Sequence, residues 1–275
     1  MILACRDTAK GQAAKNNIEL SERRLGVVEV WALDLGSFDS VIEFCERAEK
    51  LDRLDVVVEN AGVATRTAAE VCEGNERQVT VNVLSTFLVA LLLLPAMRRT
   101  TTLFNTLPHL VIVSSDAHYY AAFPERTAPS IFEALRNADR PLDRYSVTKL
   151  LEVLVVRELA AEMDKAGAPK VVVNALTPGF CRTDLYRHTP FPLNLLFWVA
   201  TLVLGRTSEM GSRNLVKAAA FGEESHGQYI GNCKLAPVSS FVRSEEGGEV
   251  QKKVFKELLF ILEKAKPGVV ENIWH

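Results

Sequence analysis

The chain has 275 residues, 48% of them apolar and 24% charged, with 32 basic against 34 acidic side chains. These are globular averages, so disordered and fibrous architectures are excluded, and the length is ample to bury a core. A net charge of −2 with the signs interspersed lacks the basic stripe of a nucleic-acid binder.

The longest apolar runs, Thr86 to Pro95 and Pro192 to Gly205, fall short of the roughly 20 residues that cross a bilayer, so no transmembrane span is expected. Met1 to Ala4 leads straight into Cys5-Arg6-Asp7 and leaves no room for an apolar signal region. Five cysteines, odd in number and never spaced as CxxC, read as reduced thiols of a cytoplasmic protein. Neither they nor His118, His188 and His226 have metal-ligand spacing, and no metal site is expected.

In chain order, the patterning predicts a strand over Met1–Ala4, a helix over Thr8–Ser21, a strand over Val27–Leu33 and a helix over Ser37–Leu51. A strand over Leu54–Val58, a long helix over Ala68–Arg99 and a strand over Leu110–Ser114 follow. The second half predicts a helix over Asp143–Lys165, a strand over Val171–Leu176, a helix over Ser208–Phe221, a weak strand over Gln228–Cys233 and a helix over Glu245–Lys264. Ser37 and Ser208 are expected N-caps, and Gly167 an expected stop. Short β-branched strands alternating with helices predict one α/β domain over residues 1–275, a doubly wound parallel sheet in three layers. Two stretches lie outside the alternation: the aromatic, proline-bearing loop from Asp116 to Pro141, and the apolar segment from Pro190 to Gly205. Long loops near strand ends in such sheets shape substrate pockets.

Tyr145-Ser-Val-Thr-Lys149 sets a phenol and an ammonium four apart, on one helix face. A nearby ammonium favours a phenolate, which makes Tyr145 a candidate acid/base group. Alone the pair is weak, because surface pairs at this spacing arise by chance. Three buried strands support it. Leu110-Val-Ile-Val-Ser-Ser115 ends in two hydroxyls, Val56-Val-Val-Glu-Asn60-Ala-Gly62 runs into small residues, and Val171 leads through Thr177 to Pro178-Gly179. Ligands of parallel sheets bind at such carboxyl ends.

Seven pieces in order now carry a resemblance. Leu3-Ala-Cys-Arg-Asp7, Leu33-Asp34-Leu35, Glu59-Asn-Ala-Gly62, Val81-Asn82-Val83, Val113-Ser-Ser115 with Ala117-His118, Tyr145-xxx-Lys149 and Pro178-Gly-xxx-Thr183 extend over nearly the whole chain. The sequence resembles the short-chain dehydrogenase/reductase superfamily, specifically its retinol-dehydrogenase and WW-domain-oxidoreductase-like branch. The resemblance implies a Rossmann-like fold. It casts Tyr145 as proton donor to a carbonyl oxygen or base toward an alcohol. Lys149 would hold the nicotinamide ribose and favour the Tyr145 phenolate. Ser115, ahead of Ser114, would hydrogen-bond the reacting oxygen, and Asn82 would support a proton-relay water near Lys149. Asp34, with Leu35 beside it, would meet the adenine, and Asn60, Ala61 and Gly62 would line the adenosine side. Pro178, Gly179 and Thr183 would bind the nicotinamide or pyrophosphate end. Arg6 suits a 2′-phosphate and so favours NADP over NAD, with Asp7 as the counter-signal.

The expected activity is an NADP(H)-dependent interconversion of carbonyl and alcohol on a lipophilic small molecule of terpenoid, polyketide, steroid or retinoid type, in a biosynthetic pathway. By position, Pro190–Gly205 would be an apolar substrate lid. A core or dimer-interface helix and shallow membrane association through Phe197 and Trp198 are the alternatives. A homodimer through Ala68–Arg99 and Asp143–Lys165 is the expected assembly.

The departure from the family is at the front. No TGxxxGxG and no GxGxxG occurs anywhere, and Met1 falls inside what looks like the family's second strand. The absent strand, glycine turn and helix amount to about 30 residues. A sheet without that central strand is expected to have two unpaired neighbours. A smaller departure is Glu59, where the family usually has Asn. Two further readings therefore stand beside the reductase: a redox-impaired binding or regulatory protein, and a non-redox enzyme that keeps Tyr145, Lys149 and Ser115 as an acid/base set.

Overall fold

The computed structural model describes residues 1–64, 70–137, 141–181 and 205–275. Two parallel strands, β1 (Ile2–Cys5) and β2 (Glu29–Ala32), pair in register with Ala4 opposite Trp31. They are joined through α1 (Thr8–Glu22) and followed by α2 (Phe38–Ala48). Asp7 caps α1 by accepting the Lys10 N–H, and Ser37 caps α2 through the Ser40 N–H.

The main sheet has five strands in the order β3 (Val56–Glu59), β6 (His109–Val113), β7 (Val172–Leu176), β8 (Tyr229–Gly231) and β9 (Lys234–Ala236). All pairs are parallel except β8–β9. Between β3 and β6 stand a small hairpin, β4 (Val71–Cys72) with β5 (Asn75–Glu76), and the long helix α3 (Arg77–Phe104). Strand β6 is buried at all five positions, as its unbroken apolar run requires of a strand covered on both faces. Strand β3 is not: Val56 and Val58 are 41% and 38% exposed. Among the described residues β3 pairs only with β6 and β1 only with β2, so each keeps an open edge.

Several boundaries differ from those the sequence predicts. The helix expected from Ala68 begins at Arg77, after the β4–β5 hairpin. The strand expected over Gln228–Cys233 is cut at Gly231, because Asn232 and Cys233 turn the chain at φ 52° and 60° into antiparallel β9. Two residues at positive φ are the hairpin turn that suits right-twisted strands. Thr207, not Ser208, caps α6 (Ser208–Ala218). The loop from Asp116 to Pro141 holds two 3-10 turns, Asp116–Tyr120 and Pro124–Thr127, and the helix α4 (Ile131–Asn137). Helix α5 (Pro141–Ala166) carries the Tyr145–Lys149 pair. Thr183 and Pro190 through Leu204 lie outside the described residues.

The two long helices are closed over by the end of the chain. Helix α7 (Glu245–Ala265) packs on α5, and the 3-10 turn Val269–Ile273 packs on α3. Pro95 inside α3 has no N–H for the Leu91 carbonyl, and the Asn272 side-chain amide supplies one at 3.1 Å. Arg98, only 4% exposed, donates to the carbonyls of Asn272, Ile273 and His275. Helix α3 is long and apolar enough to cross a membrane, but 89% of its most apolar window is buried inside the protein, so it is a core helix. The homodimer expected through α3 and α5 stays an expectation; within one chain, α7 packs on α5 and the turn Val269–Ile273 on α3.

Candidate active site

Strands β3, β6 and β7 are parallel neighbours in register, so their carboxyl ends open on one edge of the sheet. At the end of β6 the Ser114 hydroxyl donates to the Lys149 carbonyl at 2.9 Å and ties the strand to α5. Ser115 caps the following 3-10 turn, its Oγ accepting the Ala117 N–H at 3.1 Å. His118 holds that turn in place, bridging the Ser115 carbonyl at 2.8 Å and the Ser239 N–H at 3.2 Å.

Lys149 is buried, and its ammonium donates to the Val113 carbonyl at 2.9 Å and to Glu152 Oε1 at 2.8 Å. It stands 5.7 Å from the centre of the Tyr145 ring. Burial works against the Lys149 charge most strongly, but Glu152 and Tyr145 together outweigh it and hold the ammonium above the usual lysine range. Burial likewise pushes the Glu152 carboxyl up to about 7, against the pull of Lys149.

Asn82 lies in a π-helical turn of α3, Thr80–Ser85, where the Thr86 hydroxyl satisfies the Val81 carbonyl. Fully buried, it accepts the Val63 N–H at 2.8 Å, donates to the Val63 carbonyl at 2.9 Å and donates to Thr148 Oγ1 at 3.0 Å. Thr148 in turn donates to the Tyr145 carbonyl at 2.8 Å. The loop after β3 is thereby fastened to α5. Gly62 faces both groups: a Cβ there would lie 3.4 Å from Asn82 Oδ1 and 3.5 Å from Lys149 Nζ. The missing side chain opens the backbone to this corner of the cleft.

Tyr145, Lys149, Asn82 and Gly62 are thus brought together, with Ser114 and Ser115 at the adjoining strand end. Asn60 and Ala61 are exposed on the same loop. After β7, Gly179 adopts φ +79°, and a Cβ there would meet the Arg206 guanidinium at 3.1 Å, so glycine is required beside Pro178. Arg6 is exposed at the end of β1. Asp34 follows β2 and turns one carboxylate oxygen onto the Gly36 N–H at 2.8 Å. The Leu35 side chain is in the core, so only its backbone could face a nucleotide. Glu59, at the end of β3, is pushed up by burial to about 8. Two site residues escaped the sequence reading, Glu152 and Thr148. The signal for Glu152 was available, an acid inside the apolar run Leu150–Val156, three residues after Lys149. Among the described residues no three His, Cys, Asp or Glu side chains gather as metal ligands.

Comparison with known proteins gives the family and the fold. The short chain dehydrogenase family model matches residues 1–120. The chain is 42% identical over 283 residues to the short chain dehydrogenase/reductase dmxR8 of Cryptosporiopsis sp., covering 99% of this chain and 85% of that protein. It is 44% identical over 235 residues to the short chain dehydrogenase atnD of Emericella nidulans, covering 84% of this chain and 74% of that one. Among solved structures, an uncharacterised protein from Mycobacterium paratuberculosis aligns with a TM-score of 0.66 at 25% identity, covering 95% of this chain and 83% of that one. The NADP complex of RhlG from Pseudomonas aeruginosa aligns with a TM-score of 0.60 at 22% identity, covering 83% of each chain, and speaks for the fold alone.

Proposed function

Because the chain belongs to the short-chain dehydrogenase/reductase family, we propose that its site interconverts a carbonyl and an alcohol on a lipophilic small molecule, with NADP(H) as redox partner. The observation that carries this reading is the convergence of Tyr145, Lys149, Asn82 and Gly62 at the carboxyl edge of the sheet.

The residues present fit the nicotinamide riboside end of such a cofactor. Gly62 gives backbone access beside the Lys149 ammonium, and Pro178-Gly179 stands at the end of the next strand but one. When bound, the cofactor supplies or accepts the hydride. The chain's own groups handle the proton and the positioning. The Tyr145 hydroxyl gives its proton to the carbonyl oxygen in reduction and takes it back in oxidation. The Lys149 ammonium favours the intervening phenolate. Ser115 Oγ already accepts the Ala117 N–H, so its own proton is available to the reacting oxygen.

Preference for NADP rests on Arg6. Asp7 is engaged in capping α1, which accounts for its presence without a ribose and leaves the exposed Arg6 guanidinium for a 2′-phosphate. The lipophilic substrate class rests on the apolar composition of Pro190–Gly205. Five free thiols agree with a cytoplasmic, biosynthetic enzyme.

A second reading keeps the same pair: Tyr145 and Lys149 are also an acid/base set for non-redox chemistry. One experiment separates the two: NADPH and NADH are each offered with a panel of apolar ketones while product and reduced-nicotinamide absorbance are followed. Loss of absorbance in step with alcohol formation, faster with NADPH, is expected, with Tyr145→Phe slower by roughly 100-fold or more. A Tyr145→Phe variant as fast as the parent overturns the assignment. Product without nicotinamide consumption points to the second reading.

A further inference from the structure

Glu152 is an expensive residue to place where it is. The carboxylate and the Lys149 ammonium are both withdrawn from solvent, with side chains 2% and 5% exposed, and an acid in a closed apolar layer is normally replaced by a hydrophobe. Leu150, Leu151, Val153 and Leu154 around it are such hydrophobes, all buried. The pair is also closely made, at 2.8 Å. A buried ion pair of this kind adds little net stability, so its reason has to be sought in what it does to the lysine.

Three features of the surroundings define that effect. The Val113 carbonyl and Glu152 Oε1 fix two of the ammonium's donors on the β6 side. The Gly62 side of the cleft is the direction left to Nζ, where a Cβ would come within 3.5 Å. Among the described residues no other ionised group offers itself as counter-ion. On α5 the remaining ionisable neighbour is Tyr145. The end of β6 brings Ser114, and the π-turn Thr80–Ser85 brings Asn82 and no ionisable side chain. The turn Asp116–Tyr120 brings Asp116, which is taken by the Tyr229 hydroxyl, and His118, which is held between Ser115 and Ser239. On the α7 side, Arg157 and Glu158 are engaged with Gln251.

We propose that Glu152 is a positioning residue for Lys149, a built-in counter-ion that anchors the ammonium on the Val113 carbonyl and presents its free donor toward Gly62. Without the carboxylate, burial of Lys149 is opposed only by Tyr145, and the ammonium loses the contact that fixes it beside the Val113 carbonyl. The inference rests on the reading that Lys149 serves the site, but its test does not need turnover.

The probe is lysine labelled with carbon-13 at Cε, in the full chain with no ligand added, its Lys149 resonance assigned by absence from Lys149→Met. In the parent, Lys149 stays protonated beyond the ordinary lysine range. In Glu152→Gln, which keeps an oxygen acceptor but loses the charge, its midpoint falls by at least about one unit. Glu152→Asp, which keeps the charge, retains most of the parent behaviour. The alkaline limb of kcat/KM moves down with the midpoint in Glu152→Gln. An unchanged Lys149 midpoint in Glu152→Gln overturns the proposal, whatever the activity. Should Glu152→Gln fail to fold, the same coupling is read from the other side with carbon-13 in the glutamate carboxyls. Lys149→Met then raises the Glu152 midpoint above its parent value, and no change there overturns the proposal equally. Failure of the reductase reading, by contrast, appears in Tyr145→Phe and leaves these titrations as they are.

Discussion

Replacing Asn82 with alanine isolates the contribution of one buried amide. Its three hydrogen bonds, two to the Val63 backbone and one to Thr148, all run between segments that meet only in the folded chain. Each is worth about 1 kcal/mol net, and the emptied space at a fully buried position adds roughly another 1 kcal/mol. Asn82→Ala should therefore lose about 3–4 kcal/mol of unfolding free energy. At about 2.1 cal/mol/K of unfolding entropy per residue, that is a fall in Tm of roughly 5–7 °C for this domain. Urea titration of the ligand-free protein, followed by circular dichroism, measures it directly. A loss below about 1 kcal/mol in the alanine variant would refute the claim that this amide fastens the post-β3 loop to α5.

Glu59→Gln should change how stability depends on pH. The carboxyl is raised from an ordinary 4.5 to about 8, so between those values the folded chain keeps a proton that the unfolded chain releases. Parent stability then falls as pH rises through the window, and the glutamine variant should be more stable above pH ~8 by ~2–3 kcal/mol, a figure reduced because the side chain is only part-buried. Parallel urea midpoints for the two proteins across that window would contradict it. Arg98→Ala should strip the donors from three carbonyls at the end of the chain and lower stability by ~2–4 kcal/mol. It should also raise amide exchange over residues 269–273 and let the uncovered face of α3 drive concentration-dependent association in sedimentation. A variant as protected and as monodisperse as the parent would show that the clamp does not hold that turn.

How far the site was legible from residues alone depends on the distance over which each feature is determined. The buried run Leu110–Val113, the Tyr145–Lys149 spacing and the small residues after β3 are local, and the structure brings them to one edge. The cut in the last strand was not legible, because Asn232 and Cys233 take positive φ without a glycine to announce it. The π-turn was hidden for a similar reason: Thr80–Ser85 reads as ordinary helix, and only the Thr86 bond to Val81 marks it. The apolar run Leu150–Val156 signals the burial of Glu152, but the Val113 carbonyl that shares the Lys149 ammonium with it comes from β6, which that segment does not encode. The cover over α3 and α5 is the clearest case. An amphipathic helix such as α7 can close any apolar face, and the choice of its own chain's face is made by long-range contacts such as Arg98 with the terminal carbonyls.

The open side of β3 has a consequence for the protein outside its chemistry. Among the described residues β3 (Val56–Glu59) pairs only with β6, and an edge strand with exposed Val56 and Val58 is a template on which another extended chain can be laid down. No charge or proline interrupts Val56-Val57-Val58. A single lysine in place of Val58 should then act as a gatekeeper and lower concentration-dependent association, read by light scattering.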